Sequence, residues 1–98
     1  MENIIVLKFD KTITNLAGNR LGNDTYIQQI EKSLDFDRCN IIVFPRAIED
    51  IASSFIEGLY KKIGEKYGKT KALEIMKLRA ENDEANEKII ESIDTFGV

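Results

Sequence analysis

The sequence predicts a small α/β domain, a mixed sheet of about four strands in the order β-β-α-β-α-β-α with helices packed on it. Three observations carry this. The run Ile41-Ile42-Val43-Phe44 is short, apolar and mostly β-branched between polar neighbours, as in a strand covered on both faces. Beyond the only proline, Pro45, the residues Phe55, Leu59, Ile63 and Tyr67 recur every four positions, flanked by Ala52, Ile56 and Tyr60, which marks one face of an amphipathic helix. Segments of strand and helix character alternate along the rest of the chain, which implies parallel crossovers.

Taken in order, Ile4 to Phe9 reads as a strand near the sheet interior. Asp10-Lys11 is a turn signal, and Thr12-Ile13-Thr14 has the composition of a second strand pairing back on the first as a hairpin. The Gly- and Asn-rich stretch from Asn15 to Asp24 reads as loop, with Asn23 or Asp24 capping a helix whose face is Tyr26 or Ile27, Ile30 and Leu34. The central strand and the helix opening on Ser53-Ser54 follow, and Gly68 takes the left-handed position past that helix. Ala72 to Leu78 alternates as a further strand. Asn82 then caps a last helix with Asp83 and Glu84 in its first turn and Ala85, Ile89, Ile93 and Phe96, supported by Ile90, as its apolar stripe.

With 98 residues the chain reads as one domain, and 43% apolar against 32% charged residues is an ordinary globular balance. The longest apolar runs, Ile4 to Leu7 and Ile41 to Phe44, are far too short to span a bilayer, and the acidic MENIIVLKFD start lacks the features of a secretory signal. A cytoplasmic location without membrane attachment is the expectation. Net charge is −3 and the basic residues are scattered, with no stripe of the kind that neutralises nucleic-acid phosphates.

With no histidine, a serine triad of the common kind, a histidine-bearing zinc site and an imidazole base are excluded, and the single cysteine, Cys39, forms neither a thiolate cluster nor an internal disulfide. No cofactor is expected. Gly18 to Gly22 has glycines without either phosphate-loop spacing. The acidic pairs Asp35/Asp37 and Glu49/Asp50 read as solvated surface. The serine pair holds the most chemistry, because free N–H groups and the positive dipole end at a helix start stabilise an acceptor or an anion. Ser54-Phe55-Ile56-Glu57 fits a capping box, which accounts for Ser54; Asp50 is a competing cap, and Ser53 is left without a structural explanation.

The run IIVFPRAIEDIASSFIEGL resembles the signature of STAS domains, named for sulfate transporters and anti-sigma-factor antagonists, in which a buried strand leads into an Asp-Ser-Ser-Gly sequence opening a helix. Ser53-Ser54-Phe55 together with the upstream Arg20-Leu21-Gly22 is more closely similar to the bacterial STAS-like domain family of unknown function, and the likeness extends over roughly Leu16 to Ile93. The resemblance aligns Ser53 with the serine that kinases phosphorylate in anti-sigma-factor antagonists and Ser54 with the next one. Ala52 stands in place of the aspartate and Phe55 in place of the glycine.

This resemblance implies a non-enzymatic, regulatory protein-interaction domain. Its protein partner would be an ATPase of the histidine-kinase-like class or another regulator, engaged through Arg20, Arg46, Ser53 and Ser54, with Ser53 and Ser54 the candidate phosphoacceptors. The alternative is a small phage or mobile-element protein that inhibits a host defence factor by stoichiometric binding, and a third is an enzyme or nucleotide-binding protein using the Gly18 to Gly22 loop with Arg20. A homodimer paired through an exposed Thr12 to Thr14 edge is a further expectation.

Overall fold

Strand β3, Asn40–Phe44, is buried at every position and forms the centre of the molecule. The computed structural model describes residues 1–96, and side chains through residue 94. Around β3 the chain builds β1 (Asn3–Val6), β2 (Asn15–Leu16), α1 (Asn19–Thr25), β4 (Asp50–Ile51), α2 (Ser53–Tyr67), α3 (Lys69–Ile75), β5 (Met76–Ala80) and α4 (Asp83–Phe96). Helix α1 runs on through a π-helical turn, Tyr26–Ile30, and a 3-10 turn, Glu31–Ser33. The fold class is α/β, as the alternation of periods predicts. The main sheet is three-stranded in the order β1-β3-β5 and wholly parallel, with Asn3 opposite Asn40 and Asn40 opposite Met76. A separate two-stranded ladder joins β2 to β4, also in parallel.

The expected hairpin is replaced by this second ladder. Asp10 does make a turn, its carboxylate accepting from the Thr12 amide at 2.9 Å and the Thr12 hydroxyl at 2.7 Å. The chain then runs past Thr12 to Thr14 without pairing to β1. The Thr14 carbonyl accepts instead from the Glu49 amide at 2.8 Å, and the Leu16 carbonyl from the Ala52 amide at 2.8 Å. Burial decides the outcome, because this pairing sinks both Leu16 and Ile51 into the core, and non-local burial outweighs the local β-propensity of Thr-Ile-Thr. Thr12 to Thr14 is thus not a strand of either sheet.

Two further expectations are corrected. The segment from Ala72 is not strand at first: Lys69–Ile75 is helical, because Ala72, Ile75 and Met76 share the i, i+3, i+4 spacing and are all buried, and β5 begins only at Met76. The glycine- and asparagine-rich stretch is not all loop either. Helix α1 starts at Asn19 behind Gly18, which takes φ 97°, rather than at Asn23 or Asp24. Gly22 and Gly58 explain the early start. A Cβ on Gly22 would overlap the Phe55 carbonyl oxygen, and one on Gly58 would overlap the Asn19 carbonyl oxygen, so the glycines let α1 and α2 cross with their backbones in contact.

Other expectations hold. Phe55, Ile56, Leu59, Tyr60 and Ile63 form the buried face of α2, whose last member Tyr67 is partly exposed. Gly68 takes φ 89° after α2. The Asn82 carboxamide oxygen caps α4, accepting from the Glu84 amide at 2.9 Å and the Ala85 amide at 3.2 Å. Ala85 and Ile89 are buried beneath that helix, while Ile90 is exposed and Phe96, expected in the stripe, lies outside the described side chains. No helix among the described residues is long and apolar enough to cross a membrane.

Candidate functional site

The start of α2 is set by three contacts. The Ala52 amide is tied to the β2 carbonyl of Leu16, and the Ala52 carbonyl accepts from the amides of Phe55 and Ile56, at 3.0 and 3.3 Å. Ala52 therefore occupies the cap position in an extended conformation, φ −72° and ψ 149°, and offers no side-chain acceptor. Phe55 anchors the turn from below, fully buried with its ring edge-on to Phe44 at 6.1 Å. Ser53 and Ser54 are thus the first two residues of the helix.

Neither the capping box nor the competing Asp50 cap forms. The Ser54 hydroxyl accepts a hydrogen bond from the Gly18 amide at 2.9 Å, across 36 residues of sequence, and makes no bond to the amide of Glu57. Asp50 lies in β4 with its side chain exposed. The reason is the closeness of the two helix starts: the Gly22/Gly58 crossing holds the Gly18 turn against the first turn of α2, and an amide in reach captures the hydroxyl. Ser54 is half-buried with its hydroxyl engaged by that amide. Ser53 is exposed, and among the described residues its hydroxyl makes no hydrogen bond. The amides of Ser53 and Ser54 likewise have no acceptor among the described residues, as expected in the first turn of a helix.

Of the other predicted site residues, Arg20 stands exposed in the first turn of α1, two residues beyond the Gly18 amide that Ser54 engages. Arg46 is exposed on the turn after β3, closed by the Ile48 amide bonding to the Pro45 carbonyl at 3.1 Å. There it borders a groove of about 520 Å³ lined otherwise by Glu49, Glu81, Asn82, Asp83 and Glu84. The structure thus joins the Gly18–Arg20 turn to the serine turn, and places Arg46 in an acidic groove at the start of α4.

The Gly18 to Gly22 stretch is not an open glycine-rich loop. It is occupied by the start of α1, and Gly22 faces the α2 backbone rather than solvent. The main sheet also has its strands in simple succession with crossovers in one direction, so it lacks the reversal of strand order at which open α/β sheets form a ligand crevice. A cavity of about 490 Å³ opens between α2 and α3, its rim carrying Glu57, Lys61, Glu65 and Lys69 in alternating sign. Among the described residues no three or more acidic or cysteine side chains are grouped to hold a metal ion.

Sequence reasoning missed the role of the glycines and of the Gly18 amide. A signal for the former was present: a glycine inside an amphipathic helical pattern, as Gly58 is, marks close backbone approach. Nothing local signals the Gly18–Ser54 contact, which depends on how two distant helices cross. Comparison with family models, with curated proteins and with solved structures gives no match.

Proposed function

We propose that the chain is a non-enzymatic regulatory domain that binds a protein partner through the joined turns of Gly18–Arg20 and Ser53–Ser54, and that phosphorylation of Ser53 switches this binding. The observation that carries the reading is the division of labour between the serines: Ser54 is committed to the Gly18 amide at 2.9 Å, whereas Ser53 is exposed and uncommitted. A phosphoryl group on Ser53 adds nearly two negative charges beside unbonded first-turn amides, at the end of α2 that favours an anion. Arg20, on the adjoining turn, is positioned at the same surface. The likeness of the strand-turn-serine-helix segment to STAS domains supports an ATPase of the histidine-kinase-like class, or another regulator, as the partner.

The test is mass spectrometry of the chain from its native cell together with affinity purification of the wild type, Ser53→Ala and Ser53→Asp. Phosphate on Ser53, and a stoichiometric protein partner whose recovery differs between the Ala and Asp forms, is the expected result. The reading fails if Ser53 is unmodified and all three forms recover the same partners or none. Because Ser53 is exposed, both variants keep the wild-type melting temperature, which separates a switch from a folding defect.

A further inference from the structure

The two margins of the main sheet are finished differently. The Asn3 and Leu7 amides donate to the Cys39 and Val43 carbonyls, both at 2.9 Å, so odd-numbered residues of β1 turn their backbone groups toward β3 and even-numbered ones turn theirs outward. At Lys8 the outward pair is taken. Its amide donates to the Gln29 carboxamide oxygen at 2.7 Å and its carbonyl accepts from Gln29 Nε2 at 2.8 Å, the two bonds a neighbouring strand would make. At Ile4 and Val6 the outward amides and carbonyls have no partner among the described residues. The outer margin of β5, by contrast, is closed at both ends: the Met76 carbonyl accepts from the Tyr60 hydroxyl at 2.6 Å, and the Ala80 amide donates to the Asn86 carboxamide at 3.1 Å.

An unpaired edge is a template for another strand, and its side chains decide which strand fits. Glu2, Ile4, Val6 and Lys8 fall on one face by the two-residue alternation of extended chain. All are exposed, Ile4 and Val6 at 53% each, and neither Glu2 nor Lys8 makes an ion pair among the described residues. Acid, apolar, apolar, base is an order that complements itself when reversed. In an antiparallel pair, outward-bonding residues face outward-bonding residues. With Ile4 opposite Val6 of a second copy, Glu2 of each chain faces Lys8 of the other, and the apolar pair is repeated on both sides of the axis. Sliding the strands one way sets Ile4 against Lys8, whose backbone Gln29 already holds. Sliding them the other way sets Val6 against Glu2. Only the central register matches charge with charge and apolar with apolar.

We infer that the partner of the β1 edge is a second copy of this chain, the two β1 strands pairing antiparallel about a two-fold axis at Ile5. Ile4 and Val6 exchange backbone hydrogen bonds with Val6 and Ile4 of the other copy, the Glu2–Lys8 pairs close the ends, and the two main sheets become one continuous sheet. A contact along one short strand is small beside the roughly 800 Å² per partner of a stable interface, so the dimer is weak and concentration-dependent. The edge takes no part in the serine turn, and the inference stands whether or not Ser53 is a switch.

The test is sedimentation equilibrium of the full chain at low salt, from micromolar to millimolar concentration. Wild type is expected to pass from monomer to dimer. Glu2→Lys and Lys8→Glu each put like charges together at both ends of the strand pair and should weaken self-association about tenfold. Mixing the two variants restores association, because every lysine at these positions then meets a glutamate. Hydrogen exchange of the Ile4 and Val6 amides slows as wild-type concentration rises and does so less in either variant alone. The substituted side chains are exposed, so both variants stay folded, and recovery on mixing confirms it. A wild-type chain that remains monomeric at millimolar concentration overturns the inference. So does a dimer that both variants retain, or a mixture that associates no better than its components.

Discussion

The Tyr60 hydroxyl, carried by the middle of α2, donates to the Met76 carbonyl at 2.6 Å and so ties that helix to the first residue of β5. Burial pushes its phenol above the ordinary value of 10.0, with a smaller contribution from Cys39. A folded-state value above the unfolded one leaves the group's contribution intact below pH 10.0, and the contribution is lost as the pH climbs beyond that. Tyr60→Phe is therefore expected to lower stability near neutral pH by about 1 kcal/mol, the worth of a buried hydrogen bond, and to flatten the alkaline branch of the curve. The flattening is partial, since Tyr26 is also raised, by burial first and then by Glu31 and Tyr67, and persists in the variant. Urea titrations from pH 7 to 11 check both effects. A deficit that stays constant above pH 10 would mean that Tyr60 does not titrate differently in the two states. Asn40 shows the limit of reading single residues from sequence. It is a polar boundary in front of an apolar run, yet it is fully buried, accepting from Asn3 and the Asp35 amide and donating to the carbonyls of Asp35 and Ile75. Its partners come from three separate parts of the chain, so no local pattern announces them.

Among the elements, β3, α2 and the cap of α4 were legible because their signals are local: an apolar run, a four-residue recurrence and an asparagine before acids. The start of α1 and the ladder of β2 with β4 were not, because each is set by contacts distant in sequence, and α3 reads as strand although Ala72, Ile75 and Met76 carry helical spacing. The α1–α2 crossing is the most consequential, since it also places the Gly18 amide on Ser54. It makes a contrast among three glycines. Helix propensity alone favours alanine over glycine by about 1 kcal/mol in a helix interior. At Gly64, where an added Cβ meets nothing within 4 Å, Gly64→Ala should raise stability by roughly that amount. Gly22→Ala and Gly58→Ala should instead destabilise by about 2 kcal/mol or more, because a methyl forced against backbone separates the helices. Thermal melts of the three variants decide it. If all three stabilise, the helices are not in backbone contact.

At the scale of the whole molecule, two sheets of unequal strength hold the fold, and the smaller one leads into the serine turn. The central strand β3 is paired on both sides and buried throughout. The β2–β4 ladder has two residues per strand and includes exposed Asn15 and Asp50. Regions with few buried contacts open below the global unfolding free energy. Native-state hydrogen exchange should therefore show β3 amides exchanging only through global unfolding. The Glu49 and Ala52 amides, held at 2.8 Å by the carbonyls of Thr14 and Leu16, should exchange through a smaller opening of lower free energy. That opening matters for the candidate site because Leu16 leads into Gly18 and Ala52 caps α2. Freeing the Leu16–Ala52 bond loosens both turns that carry Arg20 and Ser53 at once. Ser54→Ala, which removes the remaining tie to Gly18, should lower the opening free energy at Ala52 by about 1 kcal/mol while changing exchange in β3 only through the loss of global stability. Equal exchange free energies for Ala52 and the β3 amides in the wild type would show instead that the small ladder and the serine turn open only with the core.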